Sequence, residues 1–242
     1  MSRTRHAPLI ALSLASALAL ATPALARAQT PGTVLQSERH AFRVVPVAEG
    51  LANPWSMAFL PNGDLLVTEK AGRLRLVRGG VLLPEPVAGV PEVRARGQGG
   101  LLEVALHPQF ASNQTLYLTL SKPNADGSEG TTALIRARLQ GDRLTNVEEI
   151  FEARAWATPN GHYGSRIVFD AAGYLYMTIG DRQASPSGDL TAHPSQDLRD
   201  HKGAILRLHD DGRVPTDNPF VGRADALPEI WSYGHRSPQG FA

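Results

Sequence analysis

The sequence predicts an all-β protein of the β-propeller class. Three observations carry that reading: a strand–turn–strand unit occurs three times, a further strand candidate follows each unit, and helical periodicity is hard to find beyond the N-terminal segment. A period of about 45 to 50 residues with about four short strands per unit marks a propeller. A β-sandwich also carries short strands at close spacing, but the repeated hairpin favours the propeller.

The first unit is Trp55 to Glu69, where Pro61-Asn62-Gly63-Asp64 is the turn between two apolar runs. The second spans Leu101 to Ser121, with Val104-Ala105-Leu106-His107-Pro108 leading through a longer turn into Thr115 to Leu120. The third spans Ser165 to Asp181, with Ile167-Val168-Phe169 and Tyr174 to Ile179 either side of Asp170-Ala171-Ala172-Gly173. Aligned on Phe59, Leu106 and Phe169, the units start 47 and 63 residues apart, so the third is stretched by insertion. Third strands are expected at Arg73–Val77, Ala133–Leu139 and Ala204–Leu208. Met57 to about Leu208 then makes roughly three and a half units at the propeller period. Ala242 follows a Ser-Pro-Gln-Gly-Phe run without a turn or polar tail, so the chain is expected to be the N-terminal part of a longer propeller, about four blades, with an unclosed sheet edge.

Residues 1–28 read as a Sec signal peptide. Arg3 and Arg5 precede the apolar run Leu9 to Ala21, and Pro23 precedes the small-residue pattern Ala24-Leu25-Ala26-Arg27-Ala28. The run is too short to span a bilayer, and no later segment approaches a spanning length. Residues 29–242 are thus expected to form part of one propeller domain in the periplasm or outside the cell. The whole chain has 24 Lys and Arg against 23 Asp and Glu. The signal holds three Arg and no acid, which leaves 21 against 23 and a mature net charge of −2. No basic run remains to suggest nucleic acid or an anionic membrane. With no cysteine, a disulfide framework and thiolate metal sites are excluded.

Candidate chemistry collects in the Gly-rich turns. His162, in Asn160-Gly161-His162-Tyr163-Gly164-Ser165-Arg166, stands just before the third unit's first strand, where a propeller loop reaches the channel mouth. A neutral imidazole there can act as a general base; a turn histidine bonded to backbone is the other reading. Arg166 can hold an anionic cofactor or a developing negative charge. Gly97-Gln98-Gly99-Gly100 lets backbone approach a ligand and offers an amide, or is simply a tight loop between blades. Gly180-Asp181-Arg182 and Gly234-His235-Arg236 each set charge beside glycine past a strand-like run. Asp210-Asp211-Gly212 with Asp217-Asn218 lacks EF-hand spacing and reads as Asx turns. His193, His201 and His209, at eight-residue steps, match no zinc spacing and read as surface or turn residues.

Five ordered stretches together carry a resemblance. They are Gly97 to Pro108, Gly161 to Arg166, Ile179-Gly180-Asp181-Arg182, Asp211 to Phe220, and Glu229 to Gly240. The chain resembles the soluble pyrroloquinoline quinone (PQQ) dependent sugar dehydrogenases, of the aldose sugar dehydrogenase or glucose/sorbosone dehydrogenase type, from about Val45 to Ala242. The resemblance implies a six-bladed propeller with PQQ over the channel mouth, and oxidation of a small aldose at C1 to a lactone. His162 matches the family's base, which takes the anomeric proton while hydride passes to PQQ C5. Gln98 matches a glutamine on the quinone, and Arg236 an arginine that supports the reacting carbonyl. Arg166 and Arg182 join Gln98 and Arg236 as expected cofactor contacts. Ca²⁺ is implied as a Lewis acid on the PQQ carbonyl, with its ligands and the remaining cofactor contacts beyond Ala242; a soluble electron acceptor is implied as partner.

The chain departs from the family at Ser237, where Asn is usual, at Gly161, where the glucose dehydrogenase subgroup has Asp, and at Arg182, where that subgroup has Gln. The chain as given is expected to lack turnover, because its site is incomplete. A calcium-dependent lactonase and a non-catalytic glycan- or protein-binding propeller are the competing readings.

Overall fold

The structure, a computed structural model, describes residues 32–241. The signal peptide expected over residues 1–28 lies outside them. The chain divides after Pro46. Before that point, β1 (Val34–Gln36) and β2 (Ala41–Arg43) form a short exposed antiparallel hairpin. Ser37 closes its turn, with Oγ donating to the His40 carbonyl at 2.9 Å.

From Val47 onward, three four-stranded antiparallel sheets follow in chain order, each a meander. The first holds β3 (Pro54–Phe59), β4 (Leu65–Glu69), β5 (Arg73–Arg78) and β6 (Val81–Leu82). The second holds β7 (Leu101–Leu106), β8 (Thr115–Pro123), β9 (Gly130–Gln140) and β10 (Arg143–Glu152), with one helical turn, α1 (Phe110–Asn113), between β7 and β8. The third holds β11 (Gly164–Phe169), β12 (Leu175–Ile179), β13 (Ile205–Leu208) and β14 (Ile230–Ser232). The first strands β3, β7 and β11 adjoin one another in turn, as the inner strands of propeller blades do. The architecture is the expected one, part of a β-propeller. The described residues hold three four-stranded sheets besides the two-stranded hairpin, and the long β12–β13 and β13–β14 connections are the insertions that stretch the third unit.

Alternation along the middle strands explains why the blades stack. Successive side chains of a strand point to opposite faces. On β8, Leu116, Leu118 and Leu120 pack toward the first blade with Leu66, Leu74 and Leu76. Tyr117, between them, packs toward the third blade with Leu175, Met177 and Leu206. Each fully buried Leu of this kind contributes about 1.5–3 kcal/mol, so both faces of the second blade are hydrophobic joints. β10 alternates less, and most of its residues are exposed.

A polar joint repeats beside the apolar one. Every inner strand is bulged near its start, between Pro54 and Ser56, Leu101 and Val104, and Gly164 and Ile167. A threonine of the second strand fills each irregularity. Thr68 Oγ1 accepts from the Ser56 N–H at 3.0 Å and donates to the Leu102 carbonyl of the next blade at 2.6 Å. Thr119 accepts from Glu103 N–H at 3.0 Å and donates to Ser165 O at 2.9 Å. Thr178 accepts from Arg166 N–H at 3.0 Å and donates to Pro238 O at 2.9 Å. Residues 237–239 therefore stand against β12 as β7 stands against β4. Thr119→Val keeps the shape but strands a buried N–H and a buried carbonyl. We expect a loss of about 2–4 kcal/mol, read as a lower urea midpoint; an unchanged midpoint would remove the joint's energetic role.

Candidate active site

The loops ahead of the inner strands gather at one end of the three sheets. Asn160 is held there by the Arg94 guanidinium, which also donates to the Gly127 and Ser128 carbonyls at 3.1 and 2.8 Å. His162 follows in left-handed backbone, φ +50°, a conformation that costs a non-glycine residue about 1–3 kcal/mol. Three contacts hold it there. Its N–H donates to Gln98 Oε1 at 2.8 Å, its carbonyl accepts from Arg182 Nη1 at 3.0 Å, and its Nδ1 lies 2.6 Å from Asp181 Oδ1. Gly180 permits the approach, since a Cβ there would meet the His162 carbonyl.

Asp181 is buried at the end of β12 and faces several donors. Oδ1 also accepts from the Gln183 N–H at 3.0 Å, while Oδ2 lies 3.5 Å from Arg236 Nη1 and 3.7 Å from His193 Nε2. An acceptor-only carboxylate opposite Nδ1 places the imidazole proton on Nδ1 and the lone pair on Nε2. Nε2 has no protein partner among the described residues, and His162 lines a cavity of about 350 Å³ with Trp55, Lys70, Gln98, Tyr163, Gly164, Ser237 and Gln239. The arrangement is a carboxylate-oriented base beside an open pocket.

Of the expected residues, the structure brings Gln98 and His162 together on this pocket. The three arginines stand elsewhere. Arg182 is buried, donating to Ala155 O and Thr132 Oγ1 as well as to His162 O, with its guanidinium 4.2 Å from the Tyr163 ring. Burial draws its pKa down to about 10, and its donors are spent on the scaffold beneath His162. Arg166 points between the inner strands to Glu103, with Nη1 2.5 Å from Oε2. Arg236 lies on the far side of Asp181 and lines a neighbouring cleft with His193 and His235. None of the three lines this cavity; their described contacts are to the parts around it.

Other turn residues behave variously. Asp211 closes an Asx turn, accepting from Arg213 N–H at 3.1 Å. His201, expected as a surface or turn residue, stands just before a turn and is buried. Its Nδ1 accepts from Arg154 N–H at 2.8 Å and its Nε2 lies 3.1 Å from Glu229 Oε1, so it ties two connections together. Gly161 has a local reason for lacking a side chain, because a Cβ would run into the Gln183 side chain. Sequence reasoning missed Trp55, Lys70, Gln239 and the role of Asp181. The repeat could have found Lys70 and Asp181, since both follow the second strand of a hairpin unit just as the noted Gly180 does.

The family model described as Glucose / Sorbosone dehydrogenase matches residues 51–242. The chain belongs to the glucose/sorbosone dehydrogenase family. Within it, the chain is 41% identical over 195 residues to aldose sugar dehydrogenase YliI of Escherichia coli strain K12, covering 79% of this chain and 50% of that protein. It is 28% identical over 233 residues to quinoprotein glucose dehydrogenase B of Acinetobacter calcoaceticus, covering 88% of this chain and 48% of that protein. Among solved structures, the PQQ-bound form of an aldose sugar dehydrogenase from Streptomyces coelicolor superposes with a TM-score of 0.60 at 30% identity, covering 86% of this chain and 57% of that one. The chain spans about half the length of these curated family members.

Proposed function

We propose that the full-length protein is a PQQ-dependent dehydrogenase that oxidises aldose sugars at C1 to lactones, with His162 as general base. The observation that carries this reading is the His162–Asp181 pair, which leaves Nε2 for the pocket. The residues lining that pocket fit PQQ, a flat, polycarboxylated ortho-quinone. Lys70 offers a cation, Gln98 and Gln239 offer amides, and Trp55 offers a ring face. The chemistry PQQ supplies when bound is that of a two-electron hydride acceptor.

The chain's own part is proton handling and placement. His162 Nε2 takes the proton of the anomeric hydroxyl as the C1 hydride departs and the C1–O double bond forms. Asp181 keeps the proton on Nδ1 and balances the positive charge that the imidazole gains. Gln98 holds the His162 backbone and the pocket wall at once. Beside the reacting carbonyl expected for it, Arg236 also has Asp181 as a partner, on its 3.5 Å approach to Oδ2. Calcium belongs to the same proposal, but among the described residues no group of three or more His, Asp or Glu converges on a point, and no step is assigned to it. A soluble acceptor would reoxidise the cofactor. No described helix is long and apolar enough to cross a membrane.

The test is reconstitution of the full-length protein with PQQ and Ca²⁺ and an assay of dye reduction with aldoses. Activity is expected in the wild type and a fall of about 10²–10⁴-fold in His162→Ala. Undiminished activity in the variant would overturn the assignment of the base, and metal-dependent lactone hydrolysis without quinone would favour the hydrolase reading.

A further inference from the structure

Three side chains at equivalent positions of successive inner strands form a chain of contacts that ends on a backbone carbonyl lining the candidate pocket. Ser56 of β3 donates from Oγ to Glu103 Oε1 at 2.8 Å. Glu103 of β7 holds Arg166 of β11, with Nη1 2.5 Å from Oε2. Arg166 Nε in turn donates to the Gln239 carbonyl at 3.1 Å, and the guanidinium lies 5.2 Å from the centre of the Trp55 ring. Trp55 and Gln239 both line the pocket; Glu103 and Arg166 do not.

Each joint follows from the bulges described above, which rotate the side chain after the bulge toward its neighbour in the next blade. Glu103 is 4% exposed and Arg166 is the charged group set against it. A guanidinium can pin a carbonyl and an aromatic face in one geometry only while its own position is fixed. Glu103 fixes it.

We propose that Glu103 is a positioning residue for the cofactor pocket, acting through Arg166 to hold the Trp55 ring and the Gln239 carbonyl in place. The proposal rests on the PQQ reading for its consequence in affinity, but its geometric content does not depend on PQQ. Neutralising Glu103 removes the partner that holds Arg166, and two walls of the pocket relax together. Arg166→Gln breaks the same link from the other side and should give the same phenotype.

The experiment compares the full-length wild type with Glu103→Gln and Arg166→Gln at pH 8, each with and without Trp55→Phe. Without PQQ, the emission assigned to Trp55 by difference should shift in both variants and by a similar amount. With PQQ, the dissociation constant should rise about tenfold, as expected for one lost charge-assisted contact, with the loss falling on affinity more than on kcat. Trp55 emission identical to wild type in the folded variants, or PQQ bound as tightly as by wild type, would overturn the proposal. If wild type itself binds no PQQ, the cofactor reading fails, and the Trp55 emission alone then decides the positioning claim. If Glu103→Gln does not fold, Arg166→Gln carries both measurements.

Discussion

Asp181→Asn in the full-length protein is expected to cut kcat by about 10²–10⁴-fold while leaving the protein folded. The argument is one of tautomers. Asp181 Oδ1 lies 2.6 Å from His162 Nδ1 and can only accept, so Nε2 keeps its lone pair. An asparagine can turn its NH₂ toward Nδ1, which moves the imidazole proton to Nε2 and removes the base. With the NH₂ in the place of Oδ1, the amide oxygen still faces Arg236 and His193, while the Gln183 N–H loses its acceptor, a local cost that the thermal melt reads. Steady-state kinetics on PQQ-loaded enzyme, with thermal melts as the control for folding, make the check. A variant with near wild-type kcat would remove Asp181 from the proposed chemistry.

The second large effect is on stability and concerns Glu103. Burial pushes its carboxyl up from 4.5 to about 7, against the opposing influence of Arg166 and the Ser56 hydroxyl. Between those values the folded protein keeps a proton that the unfolded chain has released, so stability falls as pH rises through the window. The shift corresponds to about 3 kcal/mol between pH 4.5 and 7. Carboxylates such as Glu69 and Glu229, whose values are lowered by hydrogen bonds and nearby cations, act in the opposite sense at lower pH. Urea denaturation at pH 5 and pH 8 therefore needs Glu103→Gln beside wild type. The difference between the two proteins should change by about 3 kcal/mol across the range; a constant difference would mean that Glu103 stays ionised throughout.

Much of the blade pattern was legible because each unit pairs apolar strands around a turn, with glycine in the first and third, and the aligned residues Phe59, Leu106 and Phe169 all end inner strands. The outer strands were harder to read. β6 has two residues, and β10 carries Arg143, Glu148, Glu149 and Glu152 toward solvent, so neither offers an apolar period. His162 and Gln98 were legible through the glycines that let backbone close in on a pocket. The directions of the arginines were not. Arg182 is set by the Ala155 carbonyl, Thr132 and the Tyr163 ring, and Arg166 by Glu103 and Trp55, and most of these partners come from other blades.

The threonine joints give the assembly a direction. Each one takes its N–H from its own blade and gives its hydroxyl proton to the blade that follows. Coupling of this kind runs only between nearest neighbours, so the array behaves as a one-dimensional lattice whose stability adds unit by unit and interface by interface. Weakening one such link would let the sheets on either side melt separately, turning a single unfolding transition into two.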